Sequence, residues 1–148
     1  MGYKRFGAMV SASTAVMFAL MYFNVYELDH IYFSQTRLYM ALMMGAAMGA
    51  TMLAFMWGMY RNVKANTAII AGCAIVFLVS LWLVRSQSTV GDNAWMRAMI
   101  PHHSIAILTS ERAHITDPRV RRLADGIIDT QKREIAEMKS LLGEDARK

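Results

Sequence analysis

The chain has 148 residues, of which 55% are hydrophobic and 18% charged, with a formal net charge of +5 and a positive mean hydropathy. Two prolines and nine glycines exclude collagen-like and low-complexity readings, and the single cysteine, Cys73, excludes an internal disulfide or a Cys-based zinc site within one chain. The unusual count is 14 methionines, which a functional reading has to address.

Three long uncharged stretches fill the first 84 residues: Phe6–Tyr26, Leu38–Tyr60 and Ala65–Val84. A hydrocarbon core of about 30 Å is crossed by roughly 20 helical residues, so the spacing predicts three transmembrane helices over about 6–26, 38–60 and 65–84. Lys4 and Arg5 before the first stretch resemble a signal-peptide layout. The apolar run, however, exceeds the ~7–15 residues of a signal core, and Val25-Tyr26-Glu27 is a poor cleavage site, which favours a retained helix. Lys4 and Arg5 before span one, and Arg61 and Lys64 between spans two and three, place those segments on the cytoplasmic side. The residues from Arg85 onward are then extracytoplasmic, periplasmic in a Gram-negative bacterium, on a chain seated in the inner membrane with its amino terminus inside.

Span two carries Met40, Met43, Met44, Met48, Met52, Met56 and Met59, a stripe that winds slowly because a repeat of four exceeds 3.6. Methionine is ordinarily packing material; the sharper reading is a column of weak thioether contacts for a soft monovalent cation. Gly45 and Gly49, with Ala41 and Ala50 nearby, form a small-residue surface for close helix approach, to another copy or to spans one and three. Cys73 reads as a small buried hydrophobe.

The tail, 85–148, holds eleven Lys/Arg against nine Asp/Glu, interleaved along helical faces. That is a solvated surface and no nucleic-acid patch. Gly91-Asp92-Asn93 caps a helix expected from near Ala94 to about His114. Thr116-Asp117-Pro118 starts a second that stops near Gly143. Pro101 is expected to kink or restart the first helix just before the two histidines. The positions 120, 123, 127, 128, 131, 135 and 138 trace one face of the second helix. The fold class is therefore all-α: a membrane domain over 1–84, then a two-helix hairpin over 85–148. Such a hairpin cannot enclose a core alone, which predicts a homo-oligomer, dimer or higher.

On the first hairpin helix Met96, Met99 and His103 fall at i, i+3 and i+7 and share a face; Gln131, Glu134 and Met138 do the same on the second. With Ile115 and Thr116 in the turn, His103 faces Thr130 or Gln131, Met99 faces Glu134 and Met96 faces Met138. Thioethers and imidazoles suit Cu(I) and its analogue Ag(I), with Cu(II) tolerated. Adjacent histidines point about 100° apart on a helix, so one of His102 and His103 faces inward, and the other is free to serve a facing protomer. His30, predicted on the same membrane side, is a further candidate ligand. Glu111-x-x-His114 has the form of a di-iron motif but sits at the turn with only Asp117 as an acidic neighbour; a surface glutamate and a helix-end histidine explain it as well.

The string Met99-Ile100-Pro101-His102-His103, followed by Asp117-Pro118-Arg119 and by Gln131-x-x-Glu134-Ile135-x-x-Met138, resembles the bacterial "domain of unknown function 305" family over about residues 92–142. The three preceding spans, with Tyr26-Glu27-Leu28-Asp29-His30, resemble a membrane-anchored subgroup. The resemblance implies half of a ferritin-like four-helix bundle, export, and an association with copper, carried onto Met99, His102, His103, Gln131, Glu134 and Met138. Many members hold two copies of the domain; this chain has one, which again favours dimerisation.

The resulting expectation is a membrane-anchored binding protein for copper or a similar soft metal, buffering or passing it at the extracytoplasmic face in contact with membrane lipid. The competing reading is a metal-free accessory subunit of a larger membrane complex. A redox enzyme ranks last, because the sequence offers no nucleophile–base pair, no phosphate-cradling glycine loop and no carboxylate pair for acid–base work.

Overall fold

A computed structural model describes residues 2–143; the last five residues of the expected hairpin domain lie outside the described residues. Five α-helices and two short 3-10 turns account for the regular structure, and no strand occurs among the described residues. The helices are α1 (Tyr3–Leu20), α2 (Gln35–Phe55), α3 (Val63–Ser86), α4 (Asp92–Arg112) and α5 (Pro118–Leu141). They divide into two compact units. Among the described residues, one contains 2–21 and 35–89; the other contains 22–34 and 90–143. The segment Tyr22–Ser34, expected in part as the end of span one (22–26) and otherwise as the loop between spans, thus belongs with the tail.

In the first unit α2 packs against both α1 and α3. Among the described residues only α2 and α3 are long and apolar enough to cross a membrane, so the expectation of three spans reduces to two. The reason lies at the end of α1. The uncharged run Phe6–Tyr26 is not one helix: α1 stops at Leu20, and the Arg37 guanidinium donates to the carbonyl of Met21, the residue that caps it. A cation on the last carbonyls is the favourable end of the helix dipole. Residues 6–20 then give about 22 Å of uncharged helix, short of the roughly 30 Å hydrocarbon core.

Gly45 and Gly49 are used inside the chain. A Cβ at Gly45 would overlap the Thr14 hydroxyl of α1, and one at Gly49 would lie 3.4 Å from both Val10 and Cys73. The small-residue surface therefore seats α2 between its own neighbours and is not free for a second copy. Phe6, Leu53 and Tyr60 form the buried cluster of this unit, and Met52 and Met56 pack against it. Met40, Met44 and Met59 are exposed. The methionine column is thus split between packing and outer surface.

Polar pairs mark the two ends of the unit. At one end Tyr3 donates to Asn66 Oδ1 (2.8 Å) and to the Asn62 carbonyl (3.2 Å), and the fully buried Asn66 donates to the Tyr60 carbonyl. Lys4, Arg5, Arg61 and Lys64 flank these contacts in sequence. At the other end Thr36 pairs with Gln87 and Tyr39 with Thr89.

In the second unit α4 and α5 pack on one another. Their core is Ile100, Ile107, Ile135 and Met138, with Tyr26 and Tyr32 of the 22–34 segment packed against it. Asp117 caps α5, accepting from the Arg119 backbone N–H at 2.8 Å, with Pro118 in the first turn. Gly143, at φ +71, follows the helix in the left-handed conformation that glycine adopts without strain. Of the expected kink or restart at Pro101, the restart does not occur: α4 is continuous from Asp92 to Arg112 with Pro101 inside it. Pro101 is fully buried beside the Ile100–Ile107 core, where apolar packing offsets the lost backbone bond. The face expected for α5 holds in its second half, where Ile135 and Met138 are buried. Val120 and Leu123 at its start are exposed, Leu123 to 66%.

Candidate metal-binding pocket

Because α4 is unbroken, Met96, Met99 and His103 keep their common face. On α5 Gln131, Glu134 and Met138 keep theirs. All six line one pocket of about 440 Å³ between the two helices, with Trp95, Glu137 and Leu141 around them. The register is one helical turn off the expected one. His103 Nδ1 lies 3.1 Å from Glu134 Oε2, whereas Gln131 or Thr130 was the expected partner. The cause is the lean of side chains toward the amino end of their own helix. On α4 that lean points away from the turn, and on α5 toward it. Each α4 residue therefore meets an α5 residue further from the turn than its level partner.

The donors have distinct surroundings. Met138 is buried in the core, and Met96 and Met99 pack against it, so the thioethers serve packing and pocket wall together. His103 is half-buried. Its Nδ1 is shielded from solvent and makes no hydrogen bond, since Glu134 Oε2 is near but not aligned. Burial pulls the His103 imidazole below the ordinary histidine range, with His102 adding to the effect and Glu134 opposing it. The ring is thus neutral near pH 7 and carries a lone pair suited to a metal. Gln131 reaches Glu134 only at 3.5 Å, so the carboxylate is not committed elsewhere. A shielded imidazole nitrogen with no hydrogen bond, three thioethers and two carboxylates in one cavity fit a soft or borderline metal ion.

Two candidate residues are not in this pocket. His102 is exposed, its ring 5.9 Å from that of His103 and tilted by 59°. That is the divergence expected of neighbours on a helix. His30 lies elsewhere in the unit, 94% buried, with Nδ1 3.0 Å from the Ser104 hydroxyl. Burial lowers its pKa too, with Lys139 adding and Asp29 and Glu27 opposing. Ser104 also accepts the Tyr26 backbone N–H at 2.7 Å, and Lys139 Nζ lies 2.7 Å from Asp29. Glu111 accepts from the Tyr26 hydroxyl at 3.2 Å, which raises the tyrosine pKa; neither Glu111 nor His114 belongs to a metal-type cluster among the described residues.

Sequence reasoning offers His30 as a candidate ligand of the histidine–methionine site and assigns no role to Glu27, Asp29 or Ser104. The available signal was a Glu-x-Asp-His run beside three tyrosines, too rich for an idle connection. A larger cavity of about 620 Å³ lies in the first unit. Its wall is apolar apart from Ser11, Thr14 and Cys73, so it has no comparable donor set.

Residues 83–145, a little under half of the chain, match the family described as "Domain of unknown function (DUF305)". The match takes in α4, α5 and the whole six-residue pocket. An uncharacterized protein of Acanthamoeba polyphaga mimivirus is 37% identical over 81 residues, 53% of this chain and 53% of the relative. The chain thus spans about half the length of the curated relative it matches. No solved structure matches the chain.

Proposed function

We propose that the protein is a membrane-anchored binding protein for copper, as Cu(I), or for a similar soft metal such as Ag(I). His103, Met96, Met99 and Met138 are the principal donors, with Glu134 and Gln131 at the rim. The observation that carries this reading is the solvent-shielded His103 Nδ1, which has no hydrogen-bond partner and sits in a pocket walled by three thioethers. A buried polar atom left unpaired costs free energy, and a metal ion at that nitrogen would remove the cost. The ligands are neutral or weakly basic, so binding releases few protons. Thioethers dominate the donor set around the His103–Glu134 pair, and binding rather than catalysis is the reading that fits.

Membrane anchoring rests on α2 and α3. The exposed Ile75, Leu78, Val79 and Trp82 of α3 suit contact with lipid tails. Because Lys4, Arg5, Arg61 and Lys64 gather at one end of the first unit, the basic-inside rule supports a cytoplasmic amino terminus and an extracytoplasmic second unit in a bacterial inner membrane. Oligomerisation now rests on α5 alone: exposed Val120, Leu123 and Ile127 offer a face on which a second α4–α5 pair completes a ferritin-like bundle. The same face supports the second reading, an accessory subunit that docks on a larger membrane complex and holds no metal.

Competition titration of Cu(I) against a chromophoric chelator, on the whole chain in detergent, tests the proposal. His103→Ala and Met99→Leu should each weaken binding with helicity unchanged, while His102→Ala and Met56→Leu should leave it alone. Equal affinity in wild type and in a His103→Ala/Met99→Leu double variant refutes the metal reading and promotes the accessory one.

A further inference from the structure

His30 has an arrangement that hydrogen bonding does not explain. Its Nε2 lies 3.6 Å from Asp29 Oδ1 and 3.8 Å from Glu27 Oε2, beyond hydrogen-bond reach. A protonated histidine paired with these carboxylates would draw them to about 2.7–2.9 Å. The three donor atoms nevertheless converge, all lying within 4.8 Å of one another. Two donors each about 2.1 Å from a tetrahedral Zn²⁺ are about 3.4 Å apart, close to the two distances observed.

The rest of the histidine is organised as a metal ligand requires. The ring is 94% buried, and its Nδ1 is held at 3.0 Å by Ser104 Oγ. In the tautomer whose Nδ1–H donates to Ser104 Oγ, Nε2 carries the lone pair on the side of Glu27 and Asp29, the usual second layer of support for a ligating imidazole. Glu27 and Asp29 face solvent, so an ion can enter and keep water in its open positions.

We propose that Glu27, Asp29 and His30 form a second metal site, distinct from the methionine pocket, that takes a borderline divalent cation of the Zn²⁺ or Cu²⁺ class. One imidazole nitrogen and two carboxylate oxygens suit such ions and not Cu(I). The opposing element is Lys139, whose ammonium lies 2.7 Å from Asp29 Oδ2. Lys132, with its ammonium 5.7 Å from the Tyr26 ring centre, lines the same hollow. Their charge weakens the site and supplies its diagnostic.

The experiment is calorimetric titration of the whole chain in detergent with Zn²⁺ alone, in a non-chelating buffer. Wild type should take up one Zn²⁺ per chain. Glu27→Gln, an exposed and shape-preserving change, should weaken binding by about tenfold or more, and Ser104→Ala by about 10- to 100-fold. Lys139→Met should strengthen it, an effect that a purely structural ion pair does not produce. Met99→Leu should leave Zn²⁺ binding unchanged, and Glu27→Gln should leave Cu(I) binding unchanged, which separates this site from the pocket above. Absence of saturable Zn²⁺ binding in wild type, or wild-type affinity in Glu27→Gln, overturns the proposal. His30→Gln should abolish binding; should it lose helicity, Glu27→Gln decides alone.

Discussion

Ser104→Ala is the substitution whose effect the structure defines most closely. Ser104 is fully buried, and its one oxygen serves two groups of the 22–34 segment: the Tyr26 N–H at 2.7 Å and His30 Nδ1 at 3.0 Å. Alanine fills nearly the same space and removes both bonds. A buried polar group stranded in this way costs about 1–3 kcal/mol. Tyr26 is half-buried, so water partly replaces its partner; His30, 6% exposed, has no such recourse. Taking about 2 kcal/mol for the pair, local opening of the segment becomes about 30-fold more frequent, since each 1.4 kcal/mol is a factor of ten. Hydrogen–deuterium exchange by mass spectrometry reads this directly: peptides within 22–34 should exchange faster by about that factor, while those of α2 and α3 stay unchanged. The competing anchor is apolar, Tyr26 and Tyr32 on the Ile100–Ile107–Ile135–Met138 core. Exchange over 22–34 within twofold of wild type would show that this packing, and not Ser104, holds the segment.

Gly45→Ala should lower thermal stability in detergent, because overlap with Thr14 costs about 1–3 kcal/mol. Gly49→Ala, meeting neighbours at 3.4 Å, should be near neutral, the tight fit offset by the gain of about 1 kcal/mol for replacing a helical glycine. Two equal effects would refute the seating of α2 described above. Acidification is a further test. His30 and His103 both have pKa values lowered by burial, so the unfolded chain binds protons near pH 6.5 that the native one does not. Their contribution is present above that pH and is lost as pH falls toward the folded values. The melting temperature of metal-free protein should therefore fall between about pH 7 and 5.5, and a His30→Gln/His103→Gln variant should show a flatter profile. A cysteine introduced near the carboxyl terminus, in place of Lys148, should react with an impermeant thiol reagent in intact spheroplasts; labelling only after lysis would invert the topology.

Local rules carried far in this chain. The Asp117-Pro118 start of α5, the stop near Gly143 and the i, i+3, i+7 faces follow from capping and helical periodicity, and these depend on neighbours in sequence. The six pocket residues came together for the same reason. What sequence could not supply was set by contacts between distant residues. The end of α1 at Leu20 depends on Arg37 meeting Met21, sixteen positions away. The continuity of α4 through Pro101 depends on core packing from α5. The role of Gly45 depends on Thr14. The register error of one turn had a general cause, the lean of helical side chains, and was correctable in advance. His30 was drawn toward the histidine pair by chemical likeness; Ser104, one residue past His103, takes it to another side of the same helix.

That single step along α4 has a chemical consequence. Consecutive helical residues diverge by about 100°, so His103 and Ser104 address different surroundings although they adjoin. Around His103 the structure gathers sulfur: Met96, Met99 and Met138. Around the histidine that Ser104 holds it gathers oxygen: Glu27 and Asp29. Raw affinity would send copper to any nitrogen-containing site, so affinity alone would not keep two metals apart. Donor hardness does. Thioethers favour Cu(I) over Zn²⁺, and a carboxylate cluster shows the reverse preference. In the two-site reading, α4 sorts ions by chemical class rather than by strength of binding, and loss of the thioethers would leave Cu(I) without a home instead of moving it next door.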